Sequence, residues 1–207
     1  MNNFSIVIPI YNEGLNIHDL LDGILNSLSK HDYTYEIIFV DDGSQDNTKD
    51  IFSSKKLFTK LIKEQKIKLI ENNKNLGQSF SITKGIKNCK YNTIVTLDGD
   101  GQNDPKDIPK LIDIFFSKKS YSLIGGIRKK RNDNYIKIFS SKIANKVRRF
   151  ILNDDCEDTG CSLKVFDKNI FIKFPYFNGI HRFLPALFKG YGKKTFFIDV
   201  NHKARLK

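Results

Sequence analysis

Over the first 126 residues, short β-branched runs that end in polar turns alternate with stretches of helical periodicity. This alternation restricts the chain to an α/β architecture built on a sheet. Phe4–Ile10 (FSIVIPI) is almost wholly apolar, as a strand buried on both faces must be. Ile17, Leu20, Leu21, Ile24, Leu25 and Leu28 then recur at helical spacing and predict an amphipathic helix from about Gly14 to Ser29. Tyr35–Asp41 is a second strand, closed by the turn-forming Asp41-Asp42-Gly43-Ser44. Asp46 or Asn47 stands where a helix running to about Ile62 needs its cap. Ile67–Glu71 is a third strand, Leu76-Gly77 opens a helix through Asn88, and Thr93–Leu97 is a fourth strand. Pro105 suits the first turn of the next helix, where Ile108, Leu111, Ile112 and Phe115 share a face. Ser122–Gly126 is a fifth strand. Right-handed crossovers between such units predict a three-layer αβα sandwich with a mostly parallel central sheet.

Beyond Arg128 the rhythm changes: a basic helix from about Asn134 to Leu152, the run Leu163–Phe166, a bend at Asn178-Gly179 and a last strand near Thr195–Asn201. With no repeat or low-complexity linker, residues 1–207 read as one domain, divided into a nucleotide-binding half (1–126) and a second half (127–207). The apolar runs are far too short to span a bilayer, and Met1-Asn2-Asn3 leads straight into a strand, so the expectation is a cytoplasmic protein. Cys89, Cys156 and Cys161 are too few and scattered for a disulfide framework, and no histidine completes a zinc set with them. They read as small, reduced, half-buried residues.

A net charge of +12 favours a phosphate-rich partner. Scattered surface lysines account for much of it, but not for the stretch Arg128–Arg149, where nine cations face the single acid Asp133. Ile136, Phe139, Ile143, Val147, Phe150 and Ile151 form an apolar stripe along the same helix. Such a helix can lie on an anionic membrane surface, although a core-packing helix with a solvated basic face has the same pattern. Nucleic acid is not the expected partner, because no aromatic array or recognition helix accompanies the charge.

Ligands of open α/β sheets bind beyond the carboxyl ends of the strands, and three polar clusters fall there: Pro9–Glu13, Asp41–Ser44 and Asp98–Gln102. In an extended segment Asp98 and Asp100 project the same way, with Gly99 leaving space between them and Gln102 adding a neutral oxygen. Two carboxylates and a carbonyl oxygen suit Mg²⁺ or Mn²⁺ with phosphate or water completing the shell. The Asp42 carboxylate suits an acceptor for base N–H groups, with Tyr11 and Glu13 offering an aromatic face and a second acceptor beside Pro9.

The runs SIVIPIYNE (Ser5–Glu13), VDDGSQDNT (Val40–Thr48), NLGQSFSITKGI (Asn75–Ile86) and LDGDGQNDP (Leu97–Pro105) resemble the family 2 glycosyltransferases of the GT-A fold. DTGCSLKVF (Asp158–Phe166) and FNGIHRFLPAL (Phe177–Leu187) resemble bacterial members of the dolichyl- or polyprenyl-phosphate sugar transferase branch. The resemblance covers essentially the whole chain. It implies a nucleotide-diphosphate sugar donor, a polyprenyl-phosphate acceptor, inversion at the anomeric carbon and a place at the inner face of the membrane. Donor contacts are implied at Pro9, Tyr11, Glu13, Val40, Asp42 and Gly99, and metal contacts at Asp98, Asp100 and Gln102. Arg128 is implied near the donor phosphates, Lys137 and Ser141 at the acceptor phosphate, Asp158 facing the reaction centre and Arg205 in a closing segment. Asp158, Asp100 and Arg128 are thus the expected catalytic residues. A Gly-x-Ser-Lys-type loop, expected past Arg205, is not found before Lys207. A nucleotidyltransferase would instead carry a Gly-rich, Arg-containing loop after the first strand, where this chain has Ile-Tyr-Asn-Glu-Gly.

Overall fold

The computed structural model of the chain describes residues 2–129 and 155–204. Strand β1 (Asn2–Ile10) lies inside the sheet, as its seven consecutive buried residues from Phe4 to Ile10 require. It pairs in parallel with β2 (Tyr33–Asp41) on one side and β4 (Thr93–Thr96) on the other. β3 (Ile67–Glu71) adds in parallel outside β2. β6 (Lys164–Asp167) runs antiparallel between β4 and β5 (Tyr121–Arg128), and β7 (Lys194–Val200) closes the sheet in parallel with β5. The seven strands stand in the order β3-β2-β1-β4-β6-β5-β7. The sheet is therefore mostly parallel, with β6 the antiparallel member.

Strand alternation sends neighbouring side chains to opposite faces, and two apolar layers result. Ile6 and Ile8 join Leu21 and Ile24 of α1 (Ile17–Leu28), together with Phe52 of α2 (Thr48–Ser54), Phe58 of α3 (Lys56–Lys63) and Leu111 of α5 (Ile108–Ser117). Val7, Ile38 and Val40 join Ile82 and Ile86 of α4 (Gln78–Lys87), Phe171 of α6 (Lys168–Phe171) and Phe188 of α7 (Ile180–Gly190). Each such side chain is stabilised by about 1.5–3 kcal/mol on leaving water. α4 packs close because residue 85 is glycine: a Cβ there would lie 2.6 Å from Val7 Cγ1 and 2.9 Å from Val40 Cγ2.

The single helix expected up to Ile62 is two helices, broken at Lys55, whose ψ of 121° is extended. Ser53 and Ser54 donate their hydroxyls back to the Asp50 carbonyl, a competition that loosens a helix end. The break lets Phe52 and Phe58 meet edge-to-face at 5.1 Å while both pack against Phe39. Pro105 opens a short 3₁₀ turn (Pro105–Asp107) ahead of α5. Cys89, Cys156 and Cys161 are free thiols as expected, though fully rather than half buried. Among the described residues no helix is long and apolar enough to cross a membrane. The basic helix predicted from Asn134 to Leu152 lies outside the described residues.

Candidate active site

The ends of β1, β2 and β4 open onto a cleft of about 320 Å³ lined by Pro9, Tyr11, Glu13, Asp42, Asp98 and Asp100. Gly99 makes this convergence possible: a Cβ would sit 2.6 Å from Ile10 Cγ2 and 3.1 Å from the Pro9 carbonyl oxygen. The loop after β4 thus rests directly on the end of β1. Tyr11 is 40% exposed at the mouth, free to offer its ring to a flat ligand. Glu13 is buried and accepts from Asn16 Nδ2 at 2.6 Å.

Asp42 differs from its sequence-level reading. Its Oδ1 accepts from Asn72 Nδ2 at 2.7 Å, Ser81 Oγ at 2.9 Å and the Leu76 amide at 3.0 Å, and its Oδ2 from the Gly77 amide at 2.8 Å. A carboxylate has about four lone-pair sites, so these bonds fill most of its capacity. Asp42 therefore organises the segment leading into α4 while presenting one edge to the cleft. Asp41 does the same for its own turn, accepting from the Ser44 amide and hydroxyl. Val40 is not brought to the cleft; its side chain is fully buried in the core under Gly85.

Gly99 and Asp100 form a turn, so Asp98 and Asp100 do not project from one extended segment as expected. They are nonetheless close enough to repel. Burial first and the Asp100 charge second push the Asp98 carboxyl up from its ordinary 3.8 to about 6. Gln78 Nε2 donates to Asp98 Oδ1 at 2.6 Å, and Asp100 Oδ1 accepts from the Gln102 amide at 3.1 Å. Gln102 is not among the residues lining the cleft, and its Nε2 lies 3.5 Å from the Lys203 carbonyl. That contact belongs to a strap. The Lys203 amide donates to Gln102 O at 2.8 Å, Asn103 bridges His202, and the Asn201 amide donates to Asp107 Oδ2 at 2.7 Å. The segment after β7 therefore holds the loop after β4 in place.

Two repelling carboxylates at a cleft mouth fit a hard divalent cation, which relieves their repulsion. Among the described residues no third acidic, histidine or cysteine side chain joins them. That suits Mg²⁺ or Mn²⁺, which retain phosphate and water ligands, better than an ion held by side chains alone.

On the other side of Asp98 and Gln78 lies a second cleft of about 290 Å³, also bordered by Arg128, Lys164, His181 and Arg182. Arg128 makes a two-pronged pair with Asp158, Nε to Oδ2 at 2.6 Å and Nη2 to Oδ1 at 2.7 Å, and its amide adds a 3.2 Å bond to Oδ2. Asp158 is only 5% exposed and does not border either cleft. Its two oxygens hold the plane of the Arg128 guanidinium. Lys137, Ser141 and Arg205 lie outside the described residues. Sequence reasoning missed Gln78 and Lys164. The first sat inside a run read as the start of a helix; the second was the odd polar residue in an apolar run, a signal that could have marked it.

The profile described as Glycosyl transferase family 2 matches residues 5–174. The undecaprenyl-phosphate 4-deoxy-4-formamido-L-arabinose transferase of Shewanella sediminis is 31% identical over 204 residues, covering 97% of this chain and 59% of the relative. The dodecaprenyl-phosphate galacturonate synthase of Rhizobium johnstonii is 32% identical over 187 residues, 90% of this chain and 54% of the relative. The chain thus spans under two thirds of the length of these relatives. Among solved structures, mannosyl-3-phosphoglycerate synthase from Rubrobacter xylanophilus superposes with a TM-score of 0.75 at 12% identity, over 99% of this chain and 67% of that one. Glucosyl-3-phosphoglycerate synthase from Mycobacterium tuberculosis, crystallised with Mn²⁺, UDP and glucosyl-3-phosphoglycerate, gives 0.71 at 15%, over 100% and 72%. These two likenesses establish the shared fold.

Proposed function

We propose, from the premise that the chain belongs to glycosyl transferase family 2, that it moves a sugar from a nucleotide-diphosphate donor to a polyprenyl phosphate. The carrying observation is the pair of clefts that share Asp98 and Gln78. The first, with Tyr11 and Asp42 at the strand ends, takes the nucleoside; the second takes sugar and acceptor. The names of the Shewanella and Rhizobium relatives support a lipid-phosphate acceptor.

The acceptor phosphate oxygen attacks the anomeric carbon from the face opposite the departing nucleoside diphosphate. One carbon–oxygen bond forms as the bond to the diphosphate breaks, and configuration inverts. A phosphate monoester is already ionised near neutral pH, so no strong base is needed, and positioning with charge stabilisation carries the rate. Bound at Asp98 and Asp100, Mg²⁺ or Mn²⁺ supplies positive charge to the leaving diphosphate. Arg128, oriented by Asp158, presents fixed donors to the phosphates from the second cleft. An anionic membrane surface at the cytoplasmic face would deliver the lipid, with the basic stretch Arg128–Arg149 as the attracting element.

The test is a panel of UDP- and GDP-sugars with Mn²⁺, read by thermal shift and by transfer to a short polyprenyl phosphate. One donor is expected to stabilise the protein only with metal, and to be consumed. Binding that survives chelator, or the double change Asp98→Asn, Asp100→Asn, would sink the metal site. Transfer to a saccharide but to no lipid phosphate would sink the acceptor assignment.

A further inference from the structure

Lys164 is a charged residue in the middle of the sheet. It pairs with Thr96 of β4 on one side and Gly125 of β5 on the other, and is 3% exposed. An ammonium carries three donors, and burying one with its needs unmet is costly. The one described hydrogen bond of its Nζ goes to the Cys161 carbonyl, a neutral acceptor. Among the described residues no carboxylate forms an ion pair with it, although it borders the second cleft.

Two neighbours on that cleft add donors. Arg182 is exposed at its rim. His181 is set by its hydrogen bonds: Ser79 Oγ already accepts from the Gly179 amide at 2.8 Å, and lies 2.8 Å from His181 Nδ1. When the Ser79 hydroxyl donates to Nδ1, the neutral imidazole carries its proton on Nε2. Burial first, then the Lys164 and Arg182 charges, hold this ring's pKa down at about 4, so it stays neutral at physiological pH. Among the described residues bordering the cleft, Asp98 is the one acid, against Arg128, Lys164 and Arg182.

We propose that Lys164 and Arg182, with His181 beside them, form a phosphate subsite in the second cleft that seats the phosphate monoester of the acceptor. This rests on the sugar-transfer reading for the identity of the acceptor, while the anion site itself follows from the donors alone. The buried ammonium then supplies a charge already stripped of water and oriented before the ligand arrives. Such a charge interacts more strongly with a phosphate than a surface lysine does.

The probes are farnesyl phosphate, farnesol, inorganic phosphate and UDP, titrated calorimetrically into the wild-type chain and into Lys164→Met, Lys164→Arg and Arg182→Gln. The wild type is expected to bind farnesyl phosphate and not farnesol. Lys164→Met and Arg182→Gln should each weaken farnesyl phosphate by about tenfold or more, with Lys164→Arg recovering part of the loss and UDP unaffected. Inorganic phosphate competing with farnesyl phosphate shows that the headgroup is what is read. Equal binding of farnesol, unchanged affinity in both charge-removing variants, or weakening of UDP in place of farnesyl phosphate overturns the proposal. If Lys164→Met fails to fold, the exposed Arg182→Gln decides the outcome. A wild type that binds farnesyl phosphate through these residues but transfers no sugar to it would refute the function and leave the subsite standing.

Discussion

Asp98 joins the electrostatics of the site to the stability of the chain. Its folded pKa of about 6 lies above its ordinary 3.8, so ionising it in the folded protein carries a penalty that grows as pH rises through that window. The stability it contributes is complete below 3.8 and lost above about 6. A divalent cation offsets the penalty only where the carboxylate is ionised, and below that window protons compete with it. Mn²⁺ should therefore raise the melting temperature more at pH 7.5 than at pH 5, as differential scanning fluorimetry would show; an equal rise at both would contradict it. Asp158 makes a second residue-scale case. Replacing it with Asn leaves a half-made pair around a largely buried guanidinium, which should cost about 3 kcal/mol in urea unfolding. The same change should reduce turnover by more than it changes donor affinity, because the guanidinium loses its orientation. Asp98 was legible as a strand-end carboxylate, but the Arg128–Asp158 pair was not, since the partners stand 30 residues apart and nothing local marks them as a pair.

At the scale of elements, the strands and their polar ends were legible because a buried parallel strand must be apolar throughout and must stop at a turn. Ile67–Glu71 agrees with its prediction end to end. The break at Lys55 was not legible: helical periodicity runs through it, and the break serves the long-range meeting of Phe52, Phe58 and Phe39. Phe52→Ala should accordingly destabilise the fold by about 3–5 kcal/mol in chemical denaturation. The intimacy of α4 with the sheet gives a sharper test. Gly85→Ala improves helix propensity by about 1 kcal/mol, yet its new methyl meets Val7 and Val40 well inside contact distance. The net change should be destabilising, by about 1–2 kcal/mol, with α4 displaced from Asp42. Stabilisation on this substitution would show that the helix has room to move.

For the molecule as a whole, the excess of 12 positive charges and the strap formed by Asn201–Lys203 set the behaviour beyond the clefts. The chain should sediment with vesicles of anionic phospholipid and not with neutral ones, and most of that binding should vanish on raising salt from 0.1 to about 1 M, where the screening length falls to about 3 Å. Salt-independent binding would point to apolar insertion instead. The sheet order could be foreseen only in part. The parallel units follow from the alternation of strands and helices. The antiparallel placement of β6 between β4 and β5 depends on contacts that join residues about 40 and 70 positions apart. That placement is what carries Lys164 to the second cleft.

Asp98 and Gln78 border both clefts, and a shared wall has a thermodynamic consequence. Two ligands that press on the same pair of side chains are not independent. Whatever factor the donor applies to the affinity for acceptor, the acceptor must return to the donor. If the donor and its metal draw Asp98 away from the second cleft, they leave that cleft more positive, and the lipid phosphate binds more tightly to the loaded enzyme. Under the proposed function, this coupling would favour the complex in which donor and acceptor are bound together.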